Sequence, residues 1–293
     1  MRVLNKLTQE KIIEYSERGR IFAEKIKNEL NICMPIKIDD LFDYVLADLK
    51  KMGYKVAYDD VLKDKKLSQS IPSTTDHDTK IIKLNRNFPE SERIEAIFHE
   101  YVHIKEETLP DIEDIINDKE KQYDLENLVD IINYYFIMPV DELKEVLKKR
   151  KYQLNKILWG YYKGYVKSSV LQWISINSLI PCHFAWVMLI KEGNEEFCYD
   201  NYSYDQKSDP KEFNIKEVLR NKESAAAKAV KEKKLMNNKK TIIDNEEYRC
   251  YAYYEKGLSK ELCSTNLETK NIKYDRLLVI GWKKSLYENL NLE

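Results

Sequence analysis

Within Ile94–Glu107, His99, Glu100 and His103 stand as His-Glu-x-x-His. On a helix, residues four apart project from one face, so both imidazoles can reach a single ion at about 2.0–2.1 Å. Glu100 is rotated to where it can reach a water on that ion. Zinc lowers the pKa of such a water towards neutrality, and the carboxylate can take its proton as the oxygen attacks a carbonyl. The competing explanation is an exposed helix with two incidental surface histidines. The chain has only four histidines, however, and two of them fall in this motif.

A catalytic zinc site needs a third protein ligand and an open position. Glu126 lies 23 residues beyond His103, far enough for a loop and a return helix. Asp130 follows one turn later and is placed to accept the spare N–H of a ligand histidine, fixing its tautomer. The alternative for Glu126 is a solvated carboxylate on a helix flank. Tyr134, two turns on, is a candidate oxyanion stabiliser, although a packing role for Tyr134 and Tyr135 is the commoner use of such residues. His77 in Thr74-Thr-Asp-His-Asp78 reads as a polar turn, and Cys182-His183 as packing at a domain junction.

Hydrophobic periodicity supplies the elements that would carry these groups. One helix is expected over about Thr8–Leu30, and a second is capped by Asp39 or Asp40 and stopped at Gly53. Tyr54–Tyr58 and Lys80–Leu84 read as strands separated by a polar loop, Ser68–Thr79. Lys80–Leu84 is the strand whose edge could pair with an extended peptide. The motif helix runs from Pro89-Glu90-Ser91 to Glu107, and the helix of Glu126 covers about Tyr123–Ile137, with Leu125, Leu128, Val129, Ile132 and Phe136 as its apolar stripe. Helices near Val140–Lys149 and Lys167–Leu179 complete a first unit. Beyond it, strands are expected near Phe184–Ile190, Tyr248–Tyr254 and Leu277–Trp282, with a Lys-rich helix between. The expected fold is α+β: a mainly helical, zincin-like domain with a small sheet over 1–182, and a C-terminal mixed α/β domain over 183–293.

The arrangement of these motifs resembles the ImmA/IrrE family of metallopeptidases. His99-Glu-x-x-His103 is followed by a Glu126-x-x-x-Asp130 helix ending in Ile137-Met138-Pro139, and is preceded by a strand ending Ile-Lys-Leu84-Asn85. Tyr165-Val-Lys-Ser168, leading into a further helix, is similar to the piece that follows Met-Pro in that family. The likeness spans about 35–180. It implies a gluzincin-like site in which His99, His103 and Glu126 hold Zn2+ and Glu100 is the general base. The chain departs from the family at Val102 and Asp130, at the bulky run Ile132–Tyr135, and at Lys105-Glu106-Glu107, where a further histidine is usual.

Composition bounds the remaining possibilities. With 49 Lys and Arg against 50 Asp and Glu, the net charge of −1 gives no general attraction to a polyanion. Lys216–Lys240 is locally basic, but a solvated helix is its ordinary meaning, so direct nucleic-acid binding is not expected. The start of the chain has no signal-like apolar run, and no membrane span is expected. Five scattered cysteines without CxxC spacing speak against a disulfide framework and fit a reducing cytoplasm. The leading expectation is a cytoplasmic zinc endopeptidase. The resemblance implies a protein substrate of the helix-turn-helix repressor type, in transcription regulation or a stress response. The alternative is a weakly catalytic zinc-site sensor acting through a partner-binding C-terminal domain.

Overall fold

The chain is described from a computed structural model over residues 9–34, 36–60, 62, 71–106, 121–150, 156–176, 184–191, 197–202, 221–233, 235–243, 246–260 and 273–283. It divides into two units, Met1–Val146 with Tyr162–Val166, and Leu147–Tyr161 with Lys167–Glu293.

In the first unit, α1 (Gln9–Glu29) buries Tyr15, Phe22, Ala23 and Ile26, and α2 (Ile38–Lys51) buries Ile38, Leu41, Val45 and Leu49. The N-cap of α2 is Lys37, which makes no side-chain cap bond. Asp39 and Asp40, expected as caps, sit instead in the first turn, where a negative charge complements the helix dipole.

A three-stranded sheet follows in the order β1 (Lys55–Asp59), β3 (Ile81–Asn85), β2 (Ser73–Asp76). β1 pairs with β3 in parallel and β2 with β3 antiparallel. Two expectations are corrected here. Residues 68–79 do not form only a loop, because Ser73-Thr-Thr-Asp76 is a strand. Its Asp76 accepts a bond from the Thr79 N–H at 3.0 Å to make the turn, which ends at Lys80 with φ 53°. The Lys80–Leu84 segment is the central strand, with both sides already paired, so it cannot add a peptide at its edge. Among the described residues the side of β2 away from β3 is unpaired.

The motif helix α3 (Glu90–Glu106) and the helix of Glu126, α4 (Lys121–Ile137), lie where expected. Phe98 of α3 meets Phe136 of α4 edge-on at 6.0 Å, while His103 meets Glu126, so the two helices run in opposite directions. Leu128, Val129, Ile131, Ile132, Asn133, Tyr134, Phe136 and Ile137 are all buried. α4 is therefore enclosed on most sides, more than a single stripe would require. On the other flank of α3, the Tyr101 hydroxyl donates to Asp48 of α2 at 2.8 Å. Lys105 lies 3.0 Å from the same carboxylate and 3.1 Å from Glu29 of α1. α5 (Val140–Lys149) begins just after Pro139.

In the second unit, a π-helical turn (Ile157–Tyr161) and α6 (Lys167–Ile176) precede a five-stranded sheet of order β5-β4-β8-β7-β6. Its strands are β4 (Phe184–Lys191), β5 (Phe197–Tyr202), β6 (Met236–Ile243), β7 (Glu246–Lys260) and β8 (Lys273–Lys283). All its pairings are antiparallel. Among the described residues the expected Lys-rich helix is seen as α7 (Ala225–Glu232), and its expected end, Met236–Lys240, belongs instead to β6. Ser224 caps α7 by accepting from the Ala227 N–H at 3.0 Å. Ala225, Ala226 and Ala229 pack against Tyr248, Cys250, Ala252 and Tyr254 of β7 and Leu277 and Val279 of β8. Together the two units make the α+β fold expected.

Gly19 marks the tightest passage of α1 over α4. A Cβ placed there would lie 2.8 Å from Cγ2 of the fully buried Ile131. Replacing glycine by alanine inside a helix ordinarily stabilises by about 1 kcal/mol. Here overpacking costs about 1–3 kcal/mol and reverses the sign. Gly19→Ala should lower stability by up to about 2 kcal/mol in urea unfolding; a more stable variant contradicts this packing.

Candidate metal centre

His99 and His103 project from one face of α3, and α4 delivers Glu126 opposite them. The Nε2 atoms of the two histidines are 3.1 Å apart, and Glu126 Oε2 lies 3.4 Å from His99 Nε2 and 3.7 Å from His103 Nε2. Ligand atoms about 2.0–2.1 Å from a tetrahedral ion are separated by about 3.3 Å, and this triangle has edges of that size. Among the described residues His99, His103 and Glu126 form the group whose donor atoms converge within 4.8 Å. Their side chains keep 20%, 19% and 29% exposure, so the group opens towards solvent on one side.

The partners behind the imidazoles set which nitrogen is free. His99 Nδ1–H donates to Asp130 Oδ1 at 2.9 Å, the geometry read for Asp130 from its position one turn after Glu126. His103 Nδ1–H donates to Glu106 Oε1, also at 2.9 Å. With both Nδ1 atoms donating, both Nε2 lone pairs face the triangle. Two lone pairs and a carboxylate oxygen at 3.1–3.7 Å repel unless positive charge lies between them. The donor set therefore fits a divalent cation.

Glu106 was not assigned a role from the sequence. It lies three residues after His103, on the same helix face, and that spacing was the available signal. It is buried, its second oxygen Oε2 makes no hydrogen bond among the described residues, and burial raises its pKa against the lowering influence of His103. Glu100, adjacent to His99, is held from the other side. Ser73 Oγ donates to Glu100 Oε1 at 2.7 Å and Thr75 Oγ1 donates to Oε2 at 2.6 Å. Both hydroxyls come from β2, the strand hidden in the supposed loop.

The other sequence candidates fall elsewhere. Tyr134 is two turns from Glu126, about 12 Å of helix rise. It is 3% exposed, which suits the packing role. His77 is in the β2–β3 turn, with Nδ1 3.3 Å from the Tyr54 hydroxyl. Cys182 and His183 lie outside the described residues.

Residues 49–166 match the family model for the IrrE N-terminal-like domain, Peptidase_M78. That stretch carries the likeness to this metallopeptidase family. It contains the whole constellation, from β1 through Glu100 and the candidate ligands to Tyr165. No curated protein matches the chain. Among solved structures, a Mycobacterium tuberculosis transcriptional regulator is similar in fold, with a TM-score of 0.59 and 13% identity. The match covers 96% of this chain and 82% of that one. No helix among the described residues is long and apolar enough to cross a membrane.

The electrostatics give a pH dependence. Burial alone would lower both histidine pKa values. The bonds of His99 with Asp130 and Glu126 outweigh it, and His99 stands well above its ordinary value. The bonds of His103 with Glu106 and Glu126 raise it to about 9. Protonated imidazole cannot bind a metal, so binding strengthens as pH rises through these values. Zinc uptake at pH 7 should release about one proton or more, read from the buffer dependence of calorimetric heats, and apparent affinity should still be rising between pH 7 and 9. Glu106→Ala removes the partner of His103 Nδ1–H and should weaken zinc binding by about 10–100-fold. An unchanged zinc dissociation constant would show that Glu106 does not orient the ligand.

Proposed function

We propose that the protein is a zinc-dependent endopeptidase in which His99, His103 and Glu126 hold the metal and Glu100 is the general base. The convergence of the three donor atoms on one point, with Glu100 next to His99 in the same helix, carries this reading. Zinc, when bound, supplies a Lewis acid that polarises the scissile carbonyl and lowers the pKa of water in the open position. Asp130 and Glu106 keep the histidines in the tautomer that presents Nε2. Glu100 accepts the proton of the attacking water and can return it to the departing amine. Its two oxygens each accept one hydroxyl bond, and a carboxylate has about four acceptor sites, so capacity remains for that proton.

An extended peptide would lie along the unpaired side of β2, where main-chain bonds give affinity without demanding a sequence. This takes the place of the pairing first read for β3. The substrate class proposed is a regulatory DNA-binding protein of the helix-turn-helix repressor type. The M78 match and the regulator among the structural neighbours support it. The division of labour proposed is a catalytic domain within 1–182 and a C-terminal domain, 183–293, that receives a partner or signal.

The test is cleavage of a co-expressed helix-turn-helix repressor by the purified chain with one equivalent of zinc. Glu100→Gln should retain the metal and lower turnover by at least about 10²-fold, since proton transfer by a positioned side chain contributes about 10²–10⁴-fold. Turnover at the wild-type rate in the zinc-loaded Glu100→Gln variant would falsify the mechanism.

A further inference from the structure

α3 fixes where the backbone of Glu100 stands, but not where its carboxylate points. Three side-chain torsions separate the two, and the group is partly exposed. What settles the direction is β2. Ser73 and Thr75 are two apart on a strand, so their side chains leave the same face, and that face is turned to α3. Each hydroxyl takes one oxygen of the carboxylate, at 2.7 and 2.6 Å, the short range of a hydrogen bond to a charged acceptor. A single bond would leave the carboxylate free to swing about it. Two bonds, one to each oxygen, define its plane.

The hydroxyls are themselves well anchored. Ser73 pairs with Leu84 and Thr75 with Ile82 of the central strand, and both partners are buried. Asn85 at the end of that strand is buried too, and its N–H donates to the carbonyl of Pro72, next to Ser73, at 2.8 Å. Thr75 is β-branched, which restricts its χ1. The sheet thus transmits its rigidity to the base through two short side chains.

We propose that Ser73 and Thr75 are positioning residues that hold the carboxylate of Glu100 toward the metal site from strand β2. This rests on the general-base reading of Glu100 and adds to it a part of the chain with no ligand of its own. It also makes one strand serve two purposes, since the side of β2 away from β3 is the proposed rail for the peptide.

The experiment uses the zinc-loaded full chain and acetohydroxamate, a small chelator whose hydroxyl can bond to a carboxylate beside the metal. Affinity is measured by calorimetry for wild type, Glu100→Gln, the Ser73→Ala/Thr75→Val double variant and the conservative Ser73→Thr and Thr75→Ser variants. Zinc affinity, measured separately, reports whether α3 and α4 are intact. The expected result is a loss of about tenfold or more for Glu100→Gln and a large part of that loss for the double variant. The conservative variants should bind like wild type, and all should bind zinc equally. Where a cleavable substrate is in hand, the double variant should lower kcat with little change in KM. Wild-type acetohydroxamate affinity in the double variant, while Glu100→Gln is weakened, overturns the positioning role alone. Equal affinity in wild type and Glu100→Gln overturns the general-base reading and the proposal with it. If the double variant loses zinc, Thr75→Val and Ser73→Ala are measured singly, and zinc-competent single variants with wild-type chelator affinity overturn the proposal.

Discussion

Two imidazole lone pairs and a carboxylate oxygen cannot share a triangle of 3.1, 3.4 and 3.7 Å without positive charge at its centre. Much of the surrounding structure follows from that constraint. In the absence of metal, protons answer it: against the lowering effect of burial, Asp130 and Glu126 at His99 and Glu106 and Glu126 at His103 hold both histidine pKa values above the ordinary range. A cation answers it better, because one charge lies close to all three donors. The arrangement needs outside support, since the donors alone would move apart. α4 is pressed onto α3 where the Phe136 ring lies 6.0 Å from that of Phe98 and 6.1 Å from that of Tyr101. α3 is in turn tied to α2 and α1 through Asp48, Lys105 and Glu29. Apolar burial thus holds a polar cluster that has no reason of its own to stay together.

Most of this was legible in the sequence. Histidines four apart within an apolar-periodic segment are a local signal, and α3 formed within one residue of its expected end. Glu126 was harder, because 23 residues separate it from His103. What betrayed it was a second helix with carboxylates at i and i+4 beside an apolar stripe. The same geometry placed Asp130 behind His99. The missed residue, Glu106, was hidden by company: in Lys105-Glu106-Glu107 it looks like surface charge, and only its burial in the structure marks it out.

β2 was not legible, for a different reason. Ser-Thr-Thr-Asp has no alternating apolar pattern, and four residues are too few for propensity to decide. The strand exists because β3 offers it a register and Asp76 closes the turn. Sheet order was equally silent: two strands read along the chain suggest neighbours, yet nothing local says that a third inserts itself at the edge. The Lys-rich segment shows the same limit. The alanine cluster and the lysines around it favour a helix, but the chain turns to strand at Met236–Lys240, which pair with β7.

Placing a proton acceptor on a helix and its restraints on a strand has a mechanical consequence. Side-chain freedom at Glu100 is lost to bonds from a different element, so its carboxylate is fixed only when sheet and helix are assembled together. Polar residues that fail to read as a strand are the ones that can do this, because an apolar strand would have no hydroxyls to offer. The feature that hid β2 from sequence reasoning, its Ser and Thr content, is therefore the feature that lets it reach the carboxylate. Departures from local pattern are expected where function sets the residue choice, and here the departure and the proposed function fall on the same two side chains.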